Sequence, residues 1–171
     1  MVRTCIWLLV VLNLSLGSLA YAQTCPPGNE RVAPNNRYTN HGNGTVTDSK
    51  TALMWKQCSE GQSGASCTGT LTNQVWQTAL NTANNSTFAN YSDWRLPSSK
   101  ELQSLVETGC HWPAINTTLF PNTPPTLAVF WTSTTYAFDA SFAWYVGFDV
   151  GFVGRVSKSN GYGVRLVRAG Q

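Results

Sequence analysis

Charge is scarce in this chain: charged side chains make up 11% of it, and 11 Lys and Arg against 8 Asp and Glu leave a formal net charge of +3. Duplex nucleic-acid binders draw most of their affinity from a dense basic face, so nucleic acid is excluded as a partner class. Histidine is scarcer still, with only 2 residues, His41 and His111. Neither has ligand spacing to the other and no C-x-x-C pair occurs, so no metal centre is assigned to imidazole or thiol. Asp48, Asp93, Asp139 and Asp149 are scattered in sequence, which gives no converging oxygen set for calcium. No Ser-His-Asp order and no paired-acid arrangement stands out, so no catalytic residue and no cofactor is assigned. His41 reads as an exposed residue beside a glycine turn.

The one long apolar run lies at the start. Arg3 supplies a positive end, Cys5 to Leu16 an apolar core, and Ala20-Tyr21-Ala22 a small-x-small cleavage site. Residues 1–22 therefore read as a secretory signal peptide, too short for a membrane helix of about 20 apolar residues. No later stretch resembles a span. The expected product is an exported protein, periplasmic or extracellular, with residues 23–36 as a Pro- and Asn-punctuated leader and 37–171 as one domain. Four cysteines remain after the signal, Cys25, Cys58, Cys67 and Cys110, and four allow three connectivities. An even count in an exported chain implies disulfides. The polar, glycine-containing loop SEGQSGAS favours Cys58 with Cys67, which leaves Cys25 for Cys110.

Along the chain, His41-Gly42-Asn43-Gly44 is a hairpin turn between strands at 37–40 and 45–48, with a further strand at 51–55. Thr72 to Asn84 carries Val75, Ala79 and Ala83 at i, i+4 and i+8, which predicts a first helix. The stretch YSDWRLPSSKELQSLVE predicts a second. Pro97 keeps Leu96 out of helical geometry, Ser98 and Glu101 form a capping box, and Leu102, Leu105 and Val106 make an apolar stripe. Trp94 is expected to be buried, and Asp93 and Arg95 to form a structural ion pair or loop clamp rather than a catalytic pair.

The last third alternates with period two, predicting strands at 129–133, 142–148, 152–158 and 162–168. Three-residue connections would keep one face apolar, with Trp144 opposite Val156 and Val156 opposite Val164. That register aligns Tyr145, Arg155 and Arg165 on the other face. Like charges so placed need compensation, either from an acid such as Asp139 or Glu107, from a backbone carbonyl, or from an anionic ligand. Together with the loop from Trp131 through Tyr136 to Asp139, this row is the expected ligand-binding surface. Arginine forks suit carboxylated or sulfated sugars.

In order, GNGTVTDSKTALMW, YSDWRLPSSKELQSLVE, INTTLFP, FWTST, AWYVGFDVGFV and VRLVR resemble the bacterial extracytoplasmic family typified by the C-terminal domain of the Legionella collagen-like adhesin. The likeness spans about residues 37 to 168. It implies an α+β, C-type-lectin-like fold of the sulfatase-modifying-factor superfamily: a twisted, mainly antiparallel sheet, two helices and extensive loops. It further implies a non-enzymatic adhesion module for glycans or sulfated glycosaminoglycans. A structural or protein-interaction module with an envelope-protein partner is the second class, and an enzyme of the formylglycine-generating kind the third. That oxidase needs paired cysteines near the C-terminus, whereas the last one here is Cys110. The resemblance also places Ala83 and Leu166 where many members carry cysteine, which implies packing in place of one disulfide.

Overall fold

Ser98 and Glu101 close the reciprocal cap that the sequence predicts: the Glu101 N–H donates to Ser98 Oγ at 3.3 Å and the Ser98 N–H donates to Glu101 Oε2 at 2.8 Å. This comes from a computed structural model that describes residues 23–170; the expected signal peptide at 1–22 lies outside the described residues. The elements, in chain order, are β1 (Tyr38–Asn40), β2 (Thr45–Asp48), β3 (Leu53–Lys56), β4 (Gln62–Ser63), β5 (Thr68–Gly69), α1 (Trp76–Asn84), α2 (Ser99–Gln103), β6 (Val129–Thr135), β7 (Phe142–Gly147), β8 (Phe152–Ser157) and β9 (Val167–Ala169). The class is α+β with two α-helices and antiparallel sheets, as expected.

Among the described residues there are three sheets instead of one, ordered β1-β2-β3-β9, β4-β5 and β6-β7-β8. Val46, Trp55 and Val167 lie side by side across β2, β3 and β9 and are fully buried. They join Leu102 and Leu105 at α2, Phe130 and Val146 of the third sheet, and Phe148 in one apolar core. A second core gathers Ala79 and Ala83 of α1 against Trp131, Ala143, Trp94, Leu96, Val164 and Leu166. Ala83 and Leu166 are both fully buried in it. Trp94 is 2% exposed, so its expected burial holds.

Both helices are shorter than their sequence patterns. α1 starts at Trp76 rather than Thr72 because Gln74 pairs with Tyr162 through two backbone hydrogen bonds, keeping the preceding residues extended. α2 stops at Gln103 because Val106 enters a bridge with Ile115 and the Glu107 N–H is taken by Ala114. The apolar stripe survives, since Leu102 and Leu105 are fully buried and Val106 packs at the edge of the same core.

The leader is sewn into the domain. Cys25 bonds Cys110, Cys58 bonds Cys67, and Thr24 bridges His111. Both disulfides are those the loop composition favours. The fully buried Glu107 carboxylate accepts from the N–H groups of Val32, Ala33 and Gly109 and pairs with Arg31 at 2.8 Å. Burial raises its pKa, but the Arg31 pair and the three donors outweigh that and hold it below the ordinary carboxylate value.

Glu101 does double duty, capping α2 and holding both guanidinium nitrogens of Arg95 at 2.7 and 2.8 Å. The Arg95 fork, more than the partial burial that opposes it, lowers the Glu101 pKa from 4.5 to about 2. A depressed folded-state pKa gives stability that is complete above the unfolded value and is lost as pH falls through the folded one. Denaturant unfolding from pH 5 down to about pH 2 should therefore show a loss of about 1–2 kcal/mol from this group after solvent screening, absent in Glu101→Gln. Parallel slopes for the two proteins would contradict that role.

Candidate functional site

The register of β7 and β8 decides which side chains can meet, and it differs by one from the sequence expectation. Gly147 pairs with Phe152, Tyr145 with Gly154, Trp144 with Arg155 and Ala143 with Val156. The connection thus has four residues, Phe148 to Gly151, instead of three. Phe148 leaves the ladder because its N–H donates to Ala128 O at 2.8 Å and its ring is fully buried edge-on to Phe130. A one-residue slip moves every side chain to the opposite face.

The fourth predicted strand is corrected as well. Residues 162–168 do not pair with β8. Gly163 bridges Phe130 in parallel, Val167 pairs with Trp55 in β3 and bridges Arg95, and only Val167–Ala169 is strand. The expected row of Tyr145, Arg155 and Arg165 consequently does not exist. Tyr145 lies on the α1 side beside Tyr162 and Phe152, and burial raises its phenol pKa. Gly154 opposite it leaves room for the ring, since a Cβ there would sit 2.5 Å from the Tyr145 hydroxyl.

Arg165 is fully buried. Its guanidinium donates to the carbonyls of Lys56 and Gln57, to Ser59 Oγ at 3.0 Å and to Thr123 Oγ1 at 3.2 Å, and lies over the Phe120 ring at 4.9 Å. Backbone carbonyls, one of the compensations anticipated, thus take the place of Asp139 and Glu107. Burial lowers its pKa to about 9, with Glu60 opposing, so the group stays charged at neutral pH. Trp131 is likewise fully buried, its Nε1–H donating to Gln74 O at 2.7 Å.

Of the expected residues, the structure brings Arg155 and Tyr136 together. Arg155 is exposed, and its guanidinium stacks 4.5 Å from the Tyr136 ring centroid. Trp144, paired directly across from Arg155, packs edge-on to Tyr136 at 5.7 Å, and Phe138 lies 5.5 Å from Tyr136 while 90% exposed. Among the described residues Arg155 has no carboxylate within salt-bridge distance. Asp139 turns the intervening loop: its Oδ1 accepts from the Ser141 N–H and hydroxyl, which lowers its pKa. Trp144 was missed because the assumed register put it on the apolar face, while Phe138 falls inside the expected Trp131 to Asp139 loop.

The other charged candidates are committed within the fold. Asp93 pairs with Arg168 at 2.6 Å and Arg95 with Glu101, so Asp93 and Arg95 serve separate ion pairs. Asp48 pairs with Arg37. The exposed His41 contacts Thr47 Oγ1 at 2.8 Å. Among the described residues no group of three or more His, Cys, Asp or Glu is placed to hold a metal ion.

The family model described as the Lcl C-terminal domain matches residues 44–168. The chain belongs to that family. No curated protein matches it. Within this Lcl C-terminal domain, Arg155 and Phe138 are exposed beside the half-buried Tyr136 and Trp144, whereas Arg165 belongs to the core. Arg165→Lys cannot bridge the same four acceptors, and each orphaned buried group costs about 1–3 kcal/mol. Chemical denaturation should show Arg165→Lys destabilised by roughly 2–4 kcal/mol and Arg155→Ala within about 0.5 kcal/mol of the parent. Equal effects would overturn this division.

Proposed function

We propose that this Lcl C-terminal domain is an exported, non-enzymatic adhesion module that holds a sulfated or otherwise anionic glycan on the Tyr136, Phe138, Trp144 and Arg155 surface. One observation carries the reading: Arg155 is exposed, lacks a carboxylate partner among the described residues, and is preorganised over an aromatic ring. A planar guanidinium fork suits sulfate and carboxylate oxygens, and the stacked ring limits the entropy lost on binding. Trp144 and Phe138 offer flat apolar area beside it for a sugar's C–H face.

Export is supported by the two disulfides, which persist in oxidising compartments. Among the described residues no helix is long and apolar enough to cross a membrane. Membership of the Lcl C-terminal domain family supports the adhesion role. A second reading, a protein-interaction module of the cell envelope, draws on Trp112 and Val150, apolar side chains 51% and 56% exposed and brought together where the Trp112 N–H donates to Asp149 O.

Binding to a sulfated-glycan array separates the two readings. The glycan reading expects binding that weakens as salt rises and drops about tenfold in Arg155→Ala, with Arg155→Lys rescuing it only partly. Undiminished binding by Arg155→Ala would sink the site, and a clean negative with the parent protein would favour the envelope-protein reading.

A further inference from the structure

Two buried glutamines with unmet hydrogen-bonding capacity line one cavity that shares no residue with the Arg155 surface. The cavity holds about 610 Å³, is partly open to solvent and is bounded by the β1–β2 turn, the end of β3, the disulfide loop and Phe88. Gln57 is 5% exposed and bonds only through its backbone among the described residues: its N–H donates to Gly44 O at 2.9 Å, and its carbonyl accepts from Arg165. Its side-chain amide is unpaired. Gln62, 7% exposed, donates its Nε2 to Asn122 O at 2.9 Å, while its Oε1 is buried without a partner. A buried acceptor left without a partner costs about 1–3 kcal/mol, and Gln62 Oε1 is such an atom, whereas the unpaired Gln57 amide is not sealed off but opens onto the cavity it lines.

The rest of the wall sets the chemistry of that occupant. Asn40 and Asn43 spend their carbonyl oxygens on the turn, accepting from Gly42 N–H and from Thr45, and retain their amide N–H groups. Lys56, the one charged residue lining the cavity, is paired with Glu60 at 2.7 Å and lies 4.7 Å over the Phe88 ring. The site thus presents amide donors and acceptors with no net charge, beside an aromatic ring. Gly44 permits this shape: it has φ +83°, and a Cβ there would come within 2.7 Å of Phe88 Cζ.

We propose that this cavity is a second binding site, for a short uncharged carbohydrate held by the side-chain amides of Gln57 and Gln62. A primary amide offers an acceptor and two donors, which match adjacent hydroxyls, and the Phe88 wall accommodates the ring's C–H face. The volume lies within the ~300–1,000 Å³ typical of small-ligand sites. This site stands independently of the anionic-glycan surface, because it uses neither Arg155 nor net charge.

The test is nuclear magnetic resonance of the isotope-labelled, disulfide-oxidised protein titrated with lactose, maltose and chitobiose, following the side-chain amides of Gln57 and Gln62. At least one probe should shift both with a Kd of about 1 mM or tighter, unchanged up to about 0.5 M salt. Gln57→Met should weaken that binding about tenfold. Ala65→Trp, on the exposed rim, should block entry while leaving the buried residues intact and sulfated-glycan binding unchanged. Water alone in the cavity, seen as no shift with any probe, would overturn the proposal. So would shifts that persist in both variants.

Discussion

A guanidinium buried without an adjacent carboxylate holds this molecule together. Arg165 enters the interior between the two larger sheets and is solvated there by the carbonyls of Lys56 and Gln57 and the hydroxyls of Ser59 and Thr123, with Phe120 and Phe130 against its faces. An ion so placed costs several kcal/mol in lost hydration unless its donors are met, and with Nε buried without a partner among the described residues the Nη1 and Nη2 contacts must converge for the fold to close. The segment that carries it accepts along the way: the N–H of Glu60 donates to Val164 O and that of Lys56 to Leu166 O. Sequence that looks like one more strand of the C-terminal sheet instead joins that sheet to β3 and anchors the chain leading into the disulfide loop.

Two arginines of the same C-terminal region therefore have opposite fates for one reason. Arg165 sits where carbonyls already surround it, and its charge serves packing. Arg155 sits opposite Trp144 on an exposed strand, stacked on Tyr136, with its hydrogen-bonding capacity unused among the described residues. The same anchoring reaches the neutral cavity, because the carbonyl that Arg165 grips belongs to Gln57, whose side-chain amide lines that space. The charged surface and the uncharged cavity differ in what they can recognise, and the fold keeps their chemistry separate.

Much of the fold was legible because local chemistry is strong where it was read. The Ser98 and Glu101 cap, the glycine turn before β2, the burial of Trp94 and the two disulfides each rest on residues a few positions apart, or on the count of cysteines. The site was legible only in part. Alternation marked β7 and β8 as strands, but their register depended on Phe148 leaving the ladder for a core assembled from distant segments. The pairing of residues 162–168 depended on β3, more than a hundred positions earlier in the chain. Long-range competition of this kind leaves no mark in a period-two pattern, which is why Tyr136 and Arg155 were found while Trp144 was not.

The division between a structural and a binding arginine can be read in one measurement: the guanidinium Nε–H signals of the labelled protein during titration with a sulfated oligosaccharide. The account predicts an Arg165 signal protected from solvent exchange and unmoved by ligand, and an Arg155 signal that exchanges rapidly and shifts on binding. A shift at Arg165, or a titration that moves other residues and leaves Arg155 untouched, would contradict it.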